Sequence, residues 1–150
     1  MLELTLVAIF LVATSVAIHA FGTTWWIRYL MHHAVRPDGN IKAQMVLPAV
    51  TSTAIVLMML HVIEVVVWAL AYLLILPGDH LDSFEKAAYF SVVTFTTLGY
   101  GDITLVEHDW RLLSGIEALV GILLVGWTTA FLFALVQRSW TTMGYSQSEQ

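Results

Sequence analysis

The sequence predicts an all-α membrane protein: three transmembrane helices, with a short re-entrant helix and an irregular loop between the second and third. Two observations carry this. Of 150 residues, 59% are hydrophobic and only 11% are charged, against roughly 25% charged in soluble domains. A soluble fold this short has too little interior to hide that surface. The apolar residues are also gathered into runs long enough to cross ~30 Å of hydrocarbon. The same composition argues against other classes. There is no cysteine to build a disulfide scaffold. A net charge of −5, with six Lys and Arg in no basic run, speaks against nucleic acid as a partner.

The first run extends from about Leu4 to Trp26, interrupted only by Thr, Ser, Gly and one histidine. It reads as a retained span, since the only early charge is the acid Glu3 and a signal peptide wants a basic start. Trp25 and Trp26 are expected at a membrane interface. A polar connector follows, with a turn signal at Pro37-Asp38-Gly39. The second run opens near Pro48, a residue suited to a first helical turn, and stops at Pro77-Gly78. The last runs from about Trp110 to Val136 and is expected to end at Gln137-Arg138.

Between the last two spans, Asp82-Ser83-Phe84-Glu85 reads as an N-cap at Asp82 with its capping-box partner three residues on. The apolar helix it opens, to Phe95, would rise only about 18 Å and cannot cross. Lys and Arg set the orientation: Arg28, Arg36, Lys42 and Arg138 lie on one side, Lys86 and Arg111 on the other. That bias places the connector and C-terminus in the cytoplasm and the short helix at the outer face of the cell membrane. The outer loops are acidic, with Asp79, Asp82, Glu85, Asp102, Glu107 and Asp109.

The sharpest signal follows the short helix: Thr96-Thr97-Leu98-Gly99-Tyr100-Gly101-Asp102. Alternating glycines admit backbone conformations closed to other residues. Successive carbonyls can then face one axis, where rings from four chains replace the hydration shell of K+. The preceding helix directs its negative end towards the membrane centre, which favours a cation there.

At these residues the chain resembles the pore module of tetrameric potassium channels, whose filter commonly reads TVGYG followed by Asp. The order of outer helix, pore helix, filter and inner helix is also similar, over 48–138. The resemblance implies a fourfold homotetrameric channel in membrane lipid, with K+ as the permeant ion, no cofactor and no enzymatic activity. It assigns the outer helix to 48–77, the pore helix to 83–95, the filter to 96–102 and the inner helix to 110–137. Residues 1–30 then form an added N-terminal transmembrane helix on the lipid-facing periphery, 31–47 a cytoplasmic connector and 139–150 a short cytoplasmic tail. Carried over residue by residue, Thr97, Leu98, Gly99 and Tyr100 supply ion-coordinating oxygens and Gly101 completes the turn. Thr96 sits just below, and Tyr89 is placed to hydrogen-bond Asp102. Leu98 stands where valine is commoner. Val93 stands where some members carry a buried glutamate, so this chain lacks that brace. A glycine part-way along the inner helix is a hinge in many members; Gly121 matches best and Gly126 is the alternative. Close helix packing is the competing reading of both.

Of the ionisable residues inside the spans, three stand out. His61 and Glu64 share a face with Trp68 and Tyr72, at spacings of three, four and four, and Glu117 lies in the last helix. Groups at such depth normally face protein or water. One reading has His61 and Glu64 bonding to neighbouring helices, through Trp127 or hydroxyls of the short helix. Another is a pH-sensitive switch; a third is a metal half-site lacking further ligands. His19, His32 and His33 carry less weight. The competing functions are a non-selective cation channel, a non-conducting subunit, and a membrane metalloprotein built on His61, Glu64 and Glu117.

Overall fold

The computed structural model describes residues 1–36, 39, 41–76, 81–105 and 110–148. Its elements are α1 (Leu2–His33), a 3-10 turn (Ala43–Met45), α2 (Val46–Ile75), α3 (Phe84–Phe95) and α4 (Arg111–Ser148). Leu2–His33, Ala43–Ile75 and Arg111–Trp140 are each long and apolar enough to cross a membrane. The chain is an integral membrane protein, all-helical among its described residues. The expected stop at Pro77-Gly78 and the turn residues Pro37 and Asp38 lie outside those residues. Gly39 is described: its N–H donates to the Arg36 carbonyl and its φ is +84°.

Four boundaries differ from expectation. α1 runs past Trp26 and Leu30 to His33, into the segment expected as connector. α2 begins at Val46, so Pro48 sits inside the first turn, where a missing N–H leaves no bond unmade. α4 continues past Arg138 to Ser148. No proline follows Arg138, and the more polar sequence ends the apolar run without ending the helix. The N-cap of α3 is Ser83, whose hydroxyl accepts from the Lys86 N–H, and Asp82 instead pairs with the Lys86 ammonium at 2.8 Å.

α1 turns one stripe inward: Leu4, Ala8, Leu11, Ser15, His19, Thr23, Trp26 and Leu30 are buried at steps of three and four. The stripe packs against α2 and, less extensively, α4. Trp26 belongs to it, its indole N–H donating to Thr53 Oγ1 at 2.8 Å, while Trp25 stays exposed. Trp68 of α2 likewise donates to Ser15 Oγ at 3.0 Å. Each buried indole thus finds a hydroxyl across the helix pair, as a polar atom in an apolar interior requires.

α3 is wedged between α2 and α4. Its C-terminal end meets α4 at Gly121, where an added Cβ would collide with the Phe95 carbonyl oxygen. Gly121 is ten residues into α4, about 15 Å along it. The short helix therefore dips to that depth and stops against the backbone of a full span. The missing side chain of glycine permits that close approach.

Candidate functional site

After α3 the backbone adopts an alternating conformation. Thr97, Gly99 and Gly101 have φ of +60°, +54° and +77°, and Leu98 and Tyr100 between them do not share it. Alternating handedness turns successive N–H groups to one side and carbonyls to the other. The N–H groups of Thr97, Leu98 and Gly99 fold back onto α3, donating to the carbonyls of Thr94, Val93 and Val93 at 2.9, 3.0 and 3.3 Å. They thereby satisfy carbonyls that the end of α3 leaves open. Among the described residues no hydrogen bond reaches the carbonyls of Thr97 to Gly101. Thr97 is β-branched and costs on the order of 1–3 kcal/mol in this conformation; the folded-back N–H bonds hold it there.

The segment climbs back along α3. Its far end is tied where the Tyr89 hydroxyl donates to Asp102 Oδ2 at 2.6 Å. That bond lowers the Asp102 carboxyl from its ordinary 3.8 and raises the Tyr89 phenol from its ordinary 10.0. The signs define a window. A depressed carboxyl adds stability that is present above pH 3.8 and lost as pH falls through its folded value; a raised phenol adds stability lost on the alkaline side. Tyr89→Phe should therefore lower the melting temperature of the purified protein by a constant amount between about pH 4 and pH 10. The difference from wild type should close below that range. A constant difference down to pH 2 would contradict the tie.

Behind the segment a second brace crosses three helices. Glu117 of α4 is buried, accepting from the Tyr72 hydroxyl at 2.7 Å and from the Ser91 hydroxyl of α3. Ser91 also lies 3.1 Å from the Val65 carbonyl of α2. Where Val93 supplies no carboxylate, α4 supplies one from another direction.

Glu117 is not brought to His61 and Glu64. Those two meet His19 of α1 instead. Glu64 Oε1 is 2.9 Å from His19 Nδ1, and Oε2 is 2.9 Å from His61 Nδ1. His61 Nε2 is 2.9 Å from Thr128 Oγ1, which lies 3.4 Å from His19 Nε2. The expected partners were different: Trp127 only sets its ring edge against His19, and the α3 hydroxyl of Ser91 goes to Glu117. The signal for His19 was in the sequence. Ser15, His19 and Thr23 recur every four residues in an otherwise apolar run, which marks a polar stripe facing protein.

Glu64→Gln should melt close to wild type, because an amide can accept from one imidazole and donate to the other. Glu64→Leu should lose about 1–3 kcal/mol per chain by leaving both Nδ1 atoms unpartnered. Thermal melting of the two purified variants checks this, and equal losses would contradict it.

In the isolated chain the 96–102 segment is exposed, Leu98 at 56% and Tyr100 at 67%. A groove beside it runs along α4, lined by Thr96, Thr97, Gly121, Ile122, Val125 and Phe133 among others. Gly126 lines the same groove, and a Cβ there would meet nothing within 4 Å. Of the outer acids, Asp82, Glu85 and Asp102 are exposed; Asp79, Glu107 and Asp109 lie outside the described residues.

Two helices long enough to cross a membrane thus flank a short helix and a loop whose carbonyls accept no hydrogen bond among the described residues. A family model described as an ion channel matches residues 58–138. That is more than half of the chain, which belongs to this ion-channel family. No curated protein and no solved structure matches it.

Proposed function

We propose that the protein is a potassium-selective channel, conducting K+ passively through a homotetrameric pore in the cell membrane. The observation that carries this is the alternating backbone of Thr97, Gly99 and Gly101, with the N–H groups of Thr97 to Gly99 held on α3 and, among the described residues, no hydrogen bond to the carbonyls of the segment. Four such segments around an axis offer rings of oxygen that replace the hydration shell of K+ without a charged side chain among them. Thr97, Leu98, Gly99 and Tyr100 supply the coordinating oxygens and Gly101 the turn. Thr96 borders the cavity below, and Tyr89 with Asp102 steadies the far end. A homotetramer follows from one segment per chain, and it would cover the exposed Leu98, Tyr100 and α4 groove.

The entrance to the segment faces outside and the C-terminus the cytoplasm, supported by the bias in Lys and Arg. α1, packed on α2 and α4 with its other face apolar, suits the lipid-facing periphery. Gly121 already has a packing duty against Phe95, whereas Gly126 has none within its own chain.

The deciding experiment is ion flux from liposomes containing only this chain, under a K+ gradient with Na+ as control, beside native mass spectrometry in detergent. Selective K+ flux from a species of four chains is expected. Equal Na+ flux would favour a non-selective cation channel, no flux a non-conducting subunit, and a dimeric or trimeric mass would end the fourfold reading.

A further inference from the structure

The proposed pore makes no use of the polar ring that joins α1 to α2 and α4. We propose that His19, His61 and Glu64 form a binding site for one divalent transition-metal ion of the zinc class, fastening α1 to the conducting module. This stands apart from ion selectivity and survives failure of the K+ reading.

The donor atoms converge. Each imidazole Nδ1 lies 2.9 Å from one carboxylate oxygen of Glu64. Two atoms so spaced subtend about 90° at a centre ~2.05 Å from each, close to zinc–nitrogen and zinc–oxygen bond lengths. One ligand atom from each of the three residues lies within 4.8 Å of the others. Imidazole with carboxylate suits zinc, copper, nickel or cobalt, whereas calcium and magnesium take oxygen alone.

The surroundings match the same role. Both remaining ring nitrogens face one atom, Thr128 Oγ1, at 2.9 and 3.4 Å. A hydroxyl oxygen has two lone pairs, so it accepts an Nε2–H from each ring and leaves both Nδ1 atoms free for a metal. Metal-binding histidines are commonly oriented by such an outer acceptor. The two rings stack, with centroids 5.2 Å apart, which keeps their Nδ1 edges on the same carboxylate. The side chains of His19 and Glu64 are fully enclosed, and that of His61 is 12% exposed, so an ion enters past the His61 ring.

Without metal the ring closes on itself. Coordination by both Nδ1 atoms and the carboxylate displaces protons from the two Nδ1–carboxylate contacts, so uptake of the ion releases protons.

The test uses the full chain in detergent, stripped with a chelator and dialysed against Zn2+, or against Co2+ for its visible spectrum. One retained ion per chain, ligand-field bands of nitrogen and oxygen coordination, and a raised melting temperature are expected. Glu64→Gln, which keeps the hydrogen bonds of the ring, should lose the retained ion. Thr128→Val should weaken binding about 10- to 100-fold. Replacing the exposed His32 and His33 by glutamine should change nothing. No retained ion in the wild type overturns the site. So does retention that survives Glu64→Gln, or that is lost only with His32 and His33.

Discussion

Gly121→Ala is expected to abolish flux and to lower the melting temperature of the assembled channel. The new Cβ would collide with the Phe95 carbonyl oxygen and lie 2.8 Å from its carbon. Ordinary carbon–oxygen contacts sit at about 3.3–3.6 Å, so α4 and the end of α3 must separate. The obstacle is backbone, which has no rotamer to retreat into. Overpacking of this kind costs about 1–3 kcal/mol per chain. The displaced element is the last turn of α3, whose Val93 and Thr94 carbonyls hold the N–H groups of Thr97 to Gly99. Stability and conduction should therefore fall together. Gly126→Ala is the contrast, since its Cβ would meet nothing within 4 Å. If Gly121 serves only as a hinge, its alanine variant will change the open fraction in single-channel records while melting like wild type. That outcome would remove the packing account.

How much of this was legible before the structure depends on which interactions are local in sequence. The spans are properties of contiguous composition, so three helices could be read directly. The short helix was equally plain, because its length and cap lie within one segment. Boundaries set by a single neighbour were less so. Asp82 and Ser83 both have cap chemistry, and only the geometry gives the Lys86 N–H to Ser83 and the Lys86 ammonium to Asp82. Partners across helices were beyond reach. Glu64 could be read as needing a partner, yet nothing near it in sequence pointed 45 residues away to His19. The same separation divides Tyr72 from Glu117. The polar step of Ser15, His19 and Thr23 held that information only as a face, without saying what the face would meet.

The segment 96–102 was legible for a different reason. Its glycines report backbone conformation rather than a side-chain partner, and conformation is local. Thr97 shows the limit: no composition rule places a β-branched residue at φ of +60°. It is held by the N–H bonds that return to α3, which are tertiary. The strained residue and the glycines together make one repeating conformation.

Gly99→Ala should remove K+ selectivity or conduction altogether while leaving the fold nearly intact. In the isolated chain a Cβ at this position meets nothing within 4 Å. The effect is therefore conformational. Alanine in the left-handed region costs roughly 1–2 kcal/mol, small against the stability of a membrane bundle but decisive for one peptide group. The Gly99 N–H is the most weakly held of the three, at 3.3 Å from the Val93 carbonyl. Rotation to negative φ loses little there, and it breaks the alternation on which a common direction for neighbouring carbonyls depends. In the proposed fourfold ring the defect would appear four times at the same level, which would remove a site for dehydrated K+ and let Na+ pass. Gly115→Ala serves as control, having neither positive φ nor a neighbour within 4 Å of its Cβ. Liposome flux with K+ and Na+, measured beside melting temperature, reads both variants. Undiminished K+ selectivity in Gly99→Ala would overturn the assignment of 97–101 as the filter, and would leave membership in the ion-channel family untouched.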